Sequence, residues 1–211
     1  MSLDVQTPTR SRKRLSKLER RQQLLDVAKS LLERDGAQDL TLAVLATQAG
    51  VSKPIAYDHF GSRSGLLIAM LADTSRYYET DAEAKIAKAP STIPAIAEIV
   101  ATAYVQCAVE AGPAVTVLAA AAEADAEARD AGRAMQQTHA RSFQRAFEPV
   151  LDAETPGLPL LFRGLVAAAN AICDERTQNK TTTEAAIDTL KHLLVASLTP
   201  FARTPLNQKE K

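Results

Sequence analysis

The chain has 211 residues, no formal net charge at neutral pH, an apolar content of 46%, only 4% aromatic residues and no tryptophan. Such an apolar share supports a core and excludes disorder throughout. The apolar residues are mainly Ala, Leu, Val and Ile, with only eight glycines, a mixture that favours helix.

The first fifteen residues, MSLDVQTPTRSRKRL, have no apolar period and contain Arg10, Arg12, Lys13 and Arg14. They read as a flexible basic arm. From Ser16 a helical stripe begins, with Leu24, Val27, Ala28, Leu31 and Leu32 on one face and Gly36 beyond its end. Thr41 is the expected N-cap of a short helix ending near Ala49. Gly50 makes a turn. Ser52 caps the next short helix, with Pro54 at its second position, where the missing N–H is not needed. That helix ends at Phe60-Gly61, and Ser62 caps a long fourth helix to about Lys88. Pro90 and Pro94 break the chain before a fifth helix over about 94–110. Gly112-Pro113 predicts another break, followed by a short sixth helix to about Glu123. Further helices are expected over about 125–151, 159–178 and 182–202. The predicted fold is therefore all-α, with about nine helices and no strand alternation.

Cys107 and Cys173 lie far apart in helical patterns, and no Cys/His cluster has metal-ligand spacing. Two reduced thiols in a cytoplasmic protein is the simplest expectation. The apolar runs from Val117 and Leu165 are shorter than a bilayer requires, so no membrane partner is expected. Residues 1–65 hold eleven Lys/Arg against seven Asp/Glu, and residues 66–211 hold fourteen against eighteen. A basic head on an acidic body suits an anionic partner such as nucleic acid, although a solubilising tail has the same charge pattern.

The segment AGVSKPIAYDHFGSR, from Ala49 to Arg63, has little apolar surface of its own. Helix, short helix, Gly turn and short helix form a three-helix unit with a helix-turn-helix inside it. Val51 and Ala46 are expected in the crook of the turn, and Ile55, Ala56 and Phe60 are expected to anchor the third helix. Its remaining face is then free to meet base edges and phosphates in a major groove. Ser52 and Lys53 stand at its positive N-terminal end. Tyr57 and His59 offer hydrogen bonds to phosphate, and Thr41 offers its hydroxyl to the opposite groove wall.

Residues 20–67 resemble the DNA-binding region of the tetracycline-repressor (TetR) family of bacterial transcriptional regulators. The Tyr57-x-x-Phe60 pair and the following FGSRSGLL are the most specific features of the match. Where the family usually has Lys followed by an acidic residue, this chain has Arg63 and Ser64, so a phosphate contact by Arg63 fits the resemblance and an acidic cap does not. The resemblance implies a DNA-binding head over 16–61 and an effector-binding and dimerisation body over 62–211. It also implies a homodimer built on the last two helices, with an effector pocket in the middle ones. The expected partners are operator DNA and a small molecule, with no cofactor.

Leu161, Leu165, Ala168 and Ile172 form one apolar stripe, and Ile187, Leu190, Leu194 and Leu198 another. Both suit a dimer interface, which the resemblance favours, or an intramolecular core. Tyr77, Tyr78, Tyr104, Cys107, His139, Phe143 and Phe147 are candidate pocket walls among helices that are otherwise poor in aromatics. For any one of them, ordinary core or surface is the commoner case. The acids of EADAEARD read as a solvated helix face, and no nucleophile–base pair or phosphate loop supports an enzyme. Two functional readings follow. One is a ligand-responsive DNA-binding regulator, most often a repressor. The other is a helical ligand-binding or interaction protein with a vestigial head.

Overall fold

The computed structural model describes residues 15–36, 40–121, 126–152 and 155–203. The expected basic arm, with Arg10, Arg12, Lys13 and Arg14, lies outside them. Eight α-helices and one 3-10 helix make up the fold among the described residues: α1 (Lys17–Asp35), α2 (Leu42–Gln48), α3 (Lys53–Phe60), α4 (Arg63–Ile86), α5 (Ile93–Ala121), α6 (Ala126–Phe147), α7 (Leu158–Thr177), α8 (Thr183–Leu198) and a final turn at Thr199–Phe201. No strand occurs among these residues beyond one isolated bridge, Leu151 to Ala202.

The helix starts follow their capping chemistry. Ser16 accepts a hydrogen bond from the Glu19 amide while the Glu19 carboxylate accepts one from the Ser16 amide, a complete capping box. Thr41, Ser62 and Thr182 each accept an amide hydrogen bond from the residue three positions on. Ser52 stands at the N-cap of α3, but its hydroxyl makes no cap bond.

The expected break at Gly112-Pro113 does not occur, and α5 runs through it. Proline removes one rung of the helix ladder. Buried Ala111, Ala114 and Leu118 hold the helix on course by packing into the same cluster as α1 to α4. This continuity gives the head more than its own three helices to rest on. Its core includes Leu24, Leu45, Ala46, Ala56 and Phe60 together with Leu66, Leu67 and Met70 of α4 and the C-terminal part of α5.

A second cluster joins the first half of α5 to α6, α7 and α8, with Val105, Phe147, Phe162, Leu190, Leu194 and Leu198 at its centre. The α5 stretch Ile93–Gly112 is long and apolar enough to cross a bilayer, with a mean hydropathy of 1.3, so the expectation that no segment reaches that length needs correcting. In this fold Ile93, Ile96, Ala97 and Val100 serve as core. The same cluster corrects the reading of the last two helices. Leu165, Leu190, Leu194 and Leu198 are buried within the single chain, and Leu161, Ile172 and Ile187 are half-buried against them. Ala168 is half-buried as well. The outward face of α7 instead presents Leu160, Gly164, Ala167 and Ala171, and that of α8 presents Ala185, Thr189, His192 and Ala196.

Candidate nucleic-acid interface and effector cavity

The helix-turn-helix is held by a short list of contacts. Gly50 has φ +65°, a conformation that costs glycine nothing, and the Val51 amide returns to the Ala46 carbonyl at 2.9 Å. Only Ala56 and Phe60 anchor α3 in the core. Ile55, expected to be a third anchor, is exposed, because a two-residue footing suffices once α1 clamps the C-terminal end of the helix. Arg21 provides that clamp. Its guanidinium lies 4.9 Å from the centre of the Phe60 ring and donates to the His59 carbonyl at 2.9 Å.

Seen from outside, α3 offers Ser52, Lys53, Pro54, Tyr57 and Asp58, all exposed. Asp58 is met by Lys17 at 3.6 Å across solvent, a pair worth little. His59 differs from its neighbours. It is half-buried, and burial lowers its pKa despite the nearby Asp58, so it reaches the surface as a neutral ring. Thr41 is exposed and already accepts from the Val44 amide at 3.1 Å. Arg63 is exposed, with its Nε donating to the Leu40 carbonyl at 2.9 Å. That bond ties the start of α4 to Leu40, the residue before the N-cap of α2.

A cavity of about 280 Å³ opens between α4, α5 and α6. Of the expected wall residues, Tyr78, Tyr104, Cys107, His139 and Phe143 line it. Two do not. Tyr77 points away and is 68% exposed, since neighbouring positions on a helix face different ways. Phe147 is fully buried and stacks on Phe162 at 6.3 Å, so it belongs to the core. The walls also hold polar groups that the sequence reading did not single out. The Ser142 hydroxyl donates to Glu79 at 3.1 Å, and Arg145 pairs with Glu83 at 3.3 Å. These residues sit in the polar stretches RYYETDAEAK and HARSFQRAF, which read as solvated helix faces.

On the cavity floor, Tyr104 packs edge-on against both Phe143 and His139 and donates its hydroxyl proton to Asn170 of α7 at 2.7 Å. His139 Nδ1 lies 3.3 Å from the same hydroxyl, and Nε2 lies 3.4 Å from the Ser75 hydroxyl. Burial depresses the His139 pKa, and it pushes the Cys107 thiol up to about 11. As pH falls below about 6.5, the unfolded imidazole therefore takes up its proton first, and stability conferred by neutral His139 is lost. His59 is depressed for the same reason, so the test is a difference between proteins. Between about pH 6.5 and 5, unfolding free energy should fall less steeply in His139→Gln than in the parent. Identical slopes would mean that His139 is fully hydrated.

The cavity wall connects to the head. The Tyr78 hydroxyl donates to Glu110 at 2.8 Å, and the other oxygen of that carboxylate is paired with Lys29 of α1. Glu110 holds the Lys29 pKa up, while burial first and then Glu110 push Tyr78 up to about 12. At the other end of the head, the Ser62 hydroxyl donates to Glu127 of α6 at 3.1 Å.

Residues 24–70 match the family described as bacterial regulatory proteins, tetR family. The HTH-type transcriptional regulator BetI of Brucella canis is 33% identical over 85 residues, which cover 40% of this chain and 43% of that protein. The chain thus spans less than half the length of the curated relatives it matches. A tetR-family transcriptional regulator from Streptomyces coelicolor superposes with a TM-score of 0.64 at 22% identity, over 87% of this chain and 82% of its own. FadR of Thermus thermophilus, a TetR-family transcriptional repressor solved with lauroyl-CoA, superposes with a TM-score of 0.65 at 14% identity, over 90% of this chain and 100% of its own. Residues 24–70 are thus a DNA-binding head of the tetR family of bacterial regulatory proteins, and the chain as a whole has the all-helical fold of the solved regulators.

Proposed function

We propose that this protein is a ligand-responsive regulator, acting as a repressor, that binds a palindromic operator as a homodimer and releases it when a small apolar or amphipathic molecule enters the cavity. The observation that carries the DNA-binding half is the outward face of α3. Ser52, Lys53 and Tyr57 are exposed, and the Ser52 hydroxyl makes no cap bond. A polar helix face left unused by its own fold suits base edges and phosphates. Lys53→Ala and Tyr57→Phe should each weaken operator binding by about 1–3 kcal/mol. Gel shifts with genomic fragments measure this, and parental affinity in both variants would remove α3 from the interface.

The cavity half rests on the shared use of α4. This helix begins at the turn after α3 and supplies Ser75, Tyr78, Glu79, Ala82 and Glu83 to the cavity. Displacing Tyr78 would disturb its bond to Glu110, and with it the pairing of Glu110 to Lys29 in the head. Ligand binding then moves the heads by no more than its differential affinity for the two arrangements allows. FadR, solved with lauroyl-CoA, is a precedent within the fold for an amphipathic ligand.

For the dimer, the outward faces of α7 and α8 replace the buried leucine stripes. Leu160 is 65% exposed, and beside it Gly164, Ala167 and Ala171 allow a partner helix to approach closely. Ala167→Arg should give a monomer by sedimentation while the chain's fold, read by circular dichroism, stays intact. A dimer in that variant would move the interface elsewhere.

A further inference from the structure

We infer that the cavity floor is a hydrogen-bond-accepting subsite, so that the effector is an uncharged amphipathic molecule bearing one donor group, a phenolic or alcoholic hydroxyl. The inference rests on the effector-cavity reading above and names the ligand class. It follows from counting protons. Tyr104 has one hydroxyl proton and gives it to Asn170 Oδ1 at 2.7 Å. Toward His139 the hydroxyl therefore only accepts, and the 3.3 Å contact assigns the ring proton to Nδ1. Nε2 is left with a lone pair. Its partner within the protein is the Ser75 hydroxyl at 3.4 Å, a long contact like that of Nδ1 to Tyr104, and Ser75 is itself 3.9 Å from the Cys107 sulfur. A ligand hydroxyl seated on Nε2 makes the shorter bond.

Charge excludes the alternatives at this depth. Burial keeps His139 neutral, so a carboxylate finds no cation on the floor. The charged groups that line the cavity nearer solvent are paired within its walls, Glu79 accepting from Ser142 and Glu83 facing Arg145. Above the floor, the rings of Tyr104 and Phe143 stand edge to face and offer an apolar wall to the ligand body. Asn170 sets the polarity of the chain although it does not itself line the cavity, so it is a positioning residue. Removing its acceptor frees the Tyr104 proton for His139 Nδ1, which moves the ring proton to Nε2 and turns the subsite from acceptor to donor.

The test uses 4-propylphenol, which can donate, and 4-propylacetophenone, which only accepts, titrated by calorimetry into the whole protein. The parent should bind the phenol roughly five- to tenfold more tightly, the effect of one good hydrogen bond. Asn170→Leu should erase or reverse that preference, and Asn170→Asp, which still only accepts, should keep it. Should Asn170→Leu not fold, the imidazole 15N shifts of the parent decide the matter, with Nδ1 protonated as the expected result and Nε2 protonated as the overturning one. A ketone bound as well as the phenol by the parent overturns the subsite but leaves the cavity as an effector site. If neither probe binds, the effector-cavity reading fails, and the subsite fails with it.

Discussion

Gly65→Ala should destabilise the protein by about 3 kcal/mol and take DNA binding with it. Gly65 lies in the first turn of α4, where its amide donates to the Ser62 cap at 2.8 Å. A methyl group on its Cα would stand 2.1 Å from the Phe60 carbonyl oxygen and 3.3 Å from the Ser62 hydroxyl. The obstacle is backbone, so no rotamer change relieves it. Nor is the backbone free to withdraw. Phe60 is buried under Arg21, Gly61 has φ +70°, and the Ser62 amide holds the same Phe60 carbonyl at 2.7 Å. Any adjustment must tilt α3 against α4, which shifts the candidate DNA-reading face. Gly132 on α6 is the control, since a Cβ there meets nothing within 4 Å. Gly132→Ala should be neutral or stabilise by up to about 1 kcal/mol. Denaturant unfolding measures both, and a Gly65→Ala protein as stable as its parent would mean that the turn between α3 and α4 is wider than described.

Phe147→Ala should cost about 3–5 kcal/mol of stability while leaving ligand affinity in the folded fraction unchanged. The ring is fully buried at the end of α6 and stacks on Phe162 of α7, inside the cluster that joins α5 to α8. Its removal leaves a hole walled by fixed helices, the setting in which truncation is most costly. Phe143, one turn earlier, is also buried but lines the cavity, so Phe143→Ala should weaken both stability and ligand binding. Equal loss of ligand affinity in the two variants would contradict this division between core and cavity wall.

The head was legible in the sequence because its determinants are local. Capping by Ser16, Thr41 and Ser62, the turn at Gly50 and the polar face of α3 each depend on residues a few positions apart. The body was less legible because its determinants are not. Periodicity identified the leucines of α7 and α8 as an apolar face, but only tertiary packing decides whether such a face turns inward or toward a partner. It turns inward at Leu165, Leu190, Leu194 and Leu198. Likewise, Gly112-Pro113 reads as a break by propensity, and burial of Ala111, Ala114 and Leu118 against the head overrides it. The cavity was partly legible, since scarce aromatics drew attention to Tyr104, His139 and Phe143. Choosing between Tyr77 and Tyr78 required knowing the rotation of α4. Asn170, Ser75 and Glu110 matter through partners 32 to 81 positions away, a relation that no local pattern encodes.

The central claim is that α3 reads DNA from a two-fold symmetric dimer. Selecting duplexes from genomic DNA with the purified full chain and mapping the protected bases tests it most directly. The account predicts enrichment of a palindromic site with two protected half-sites centred about one helical turn, or a little more, apart, and the loss of that enrichment in Lys53→Ala. Recovery of fragments with no shared sequence, equally well by the parent and by Lys53→Ala, would contradict it.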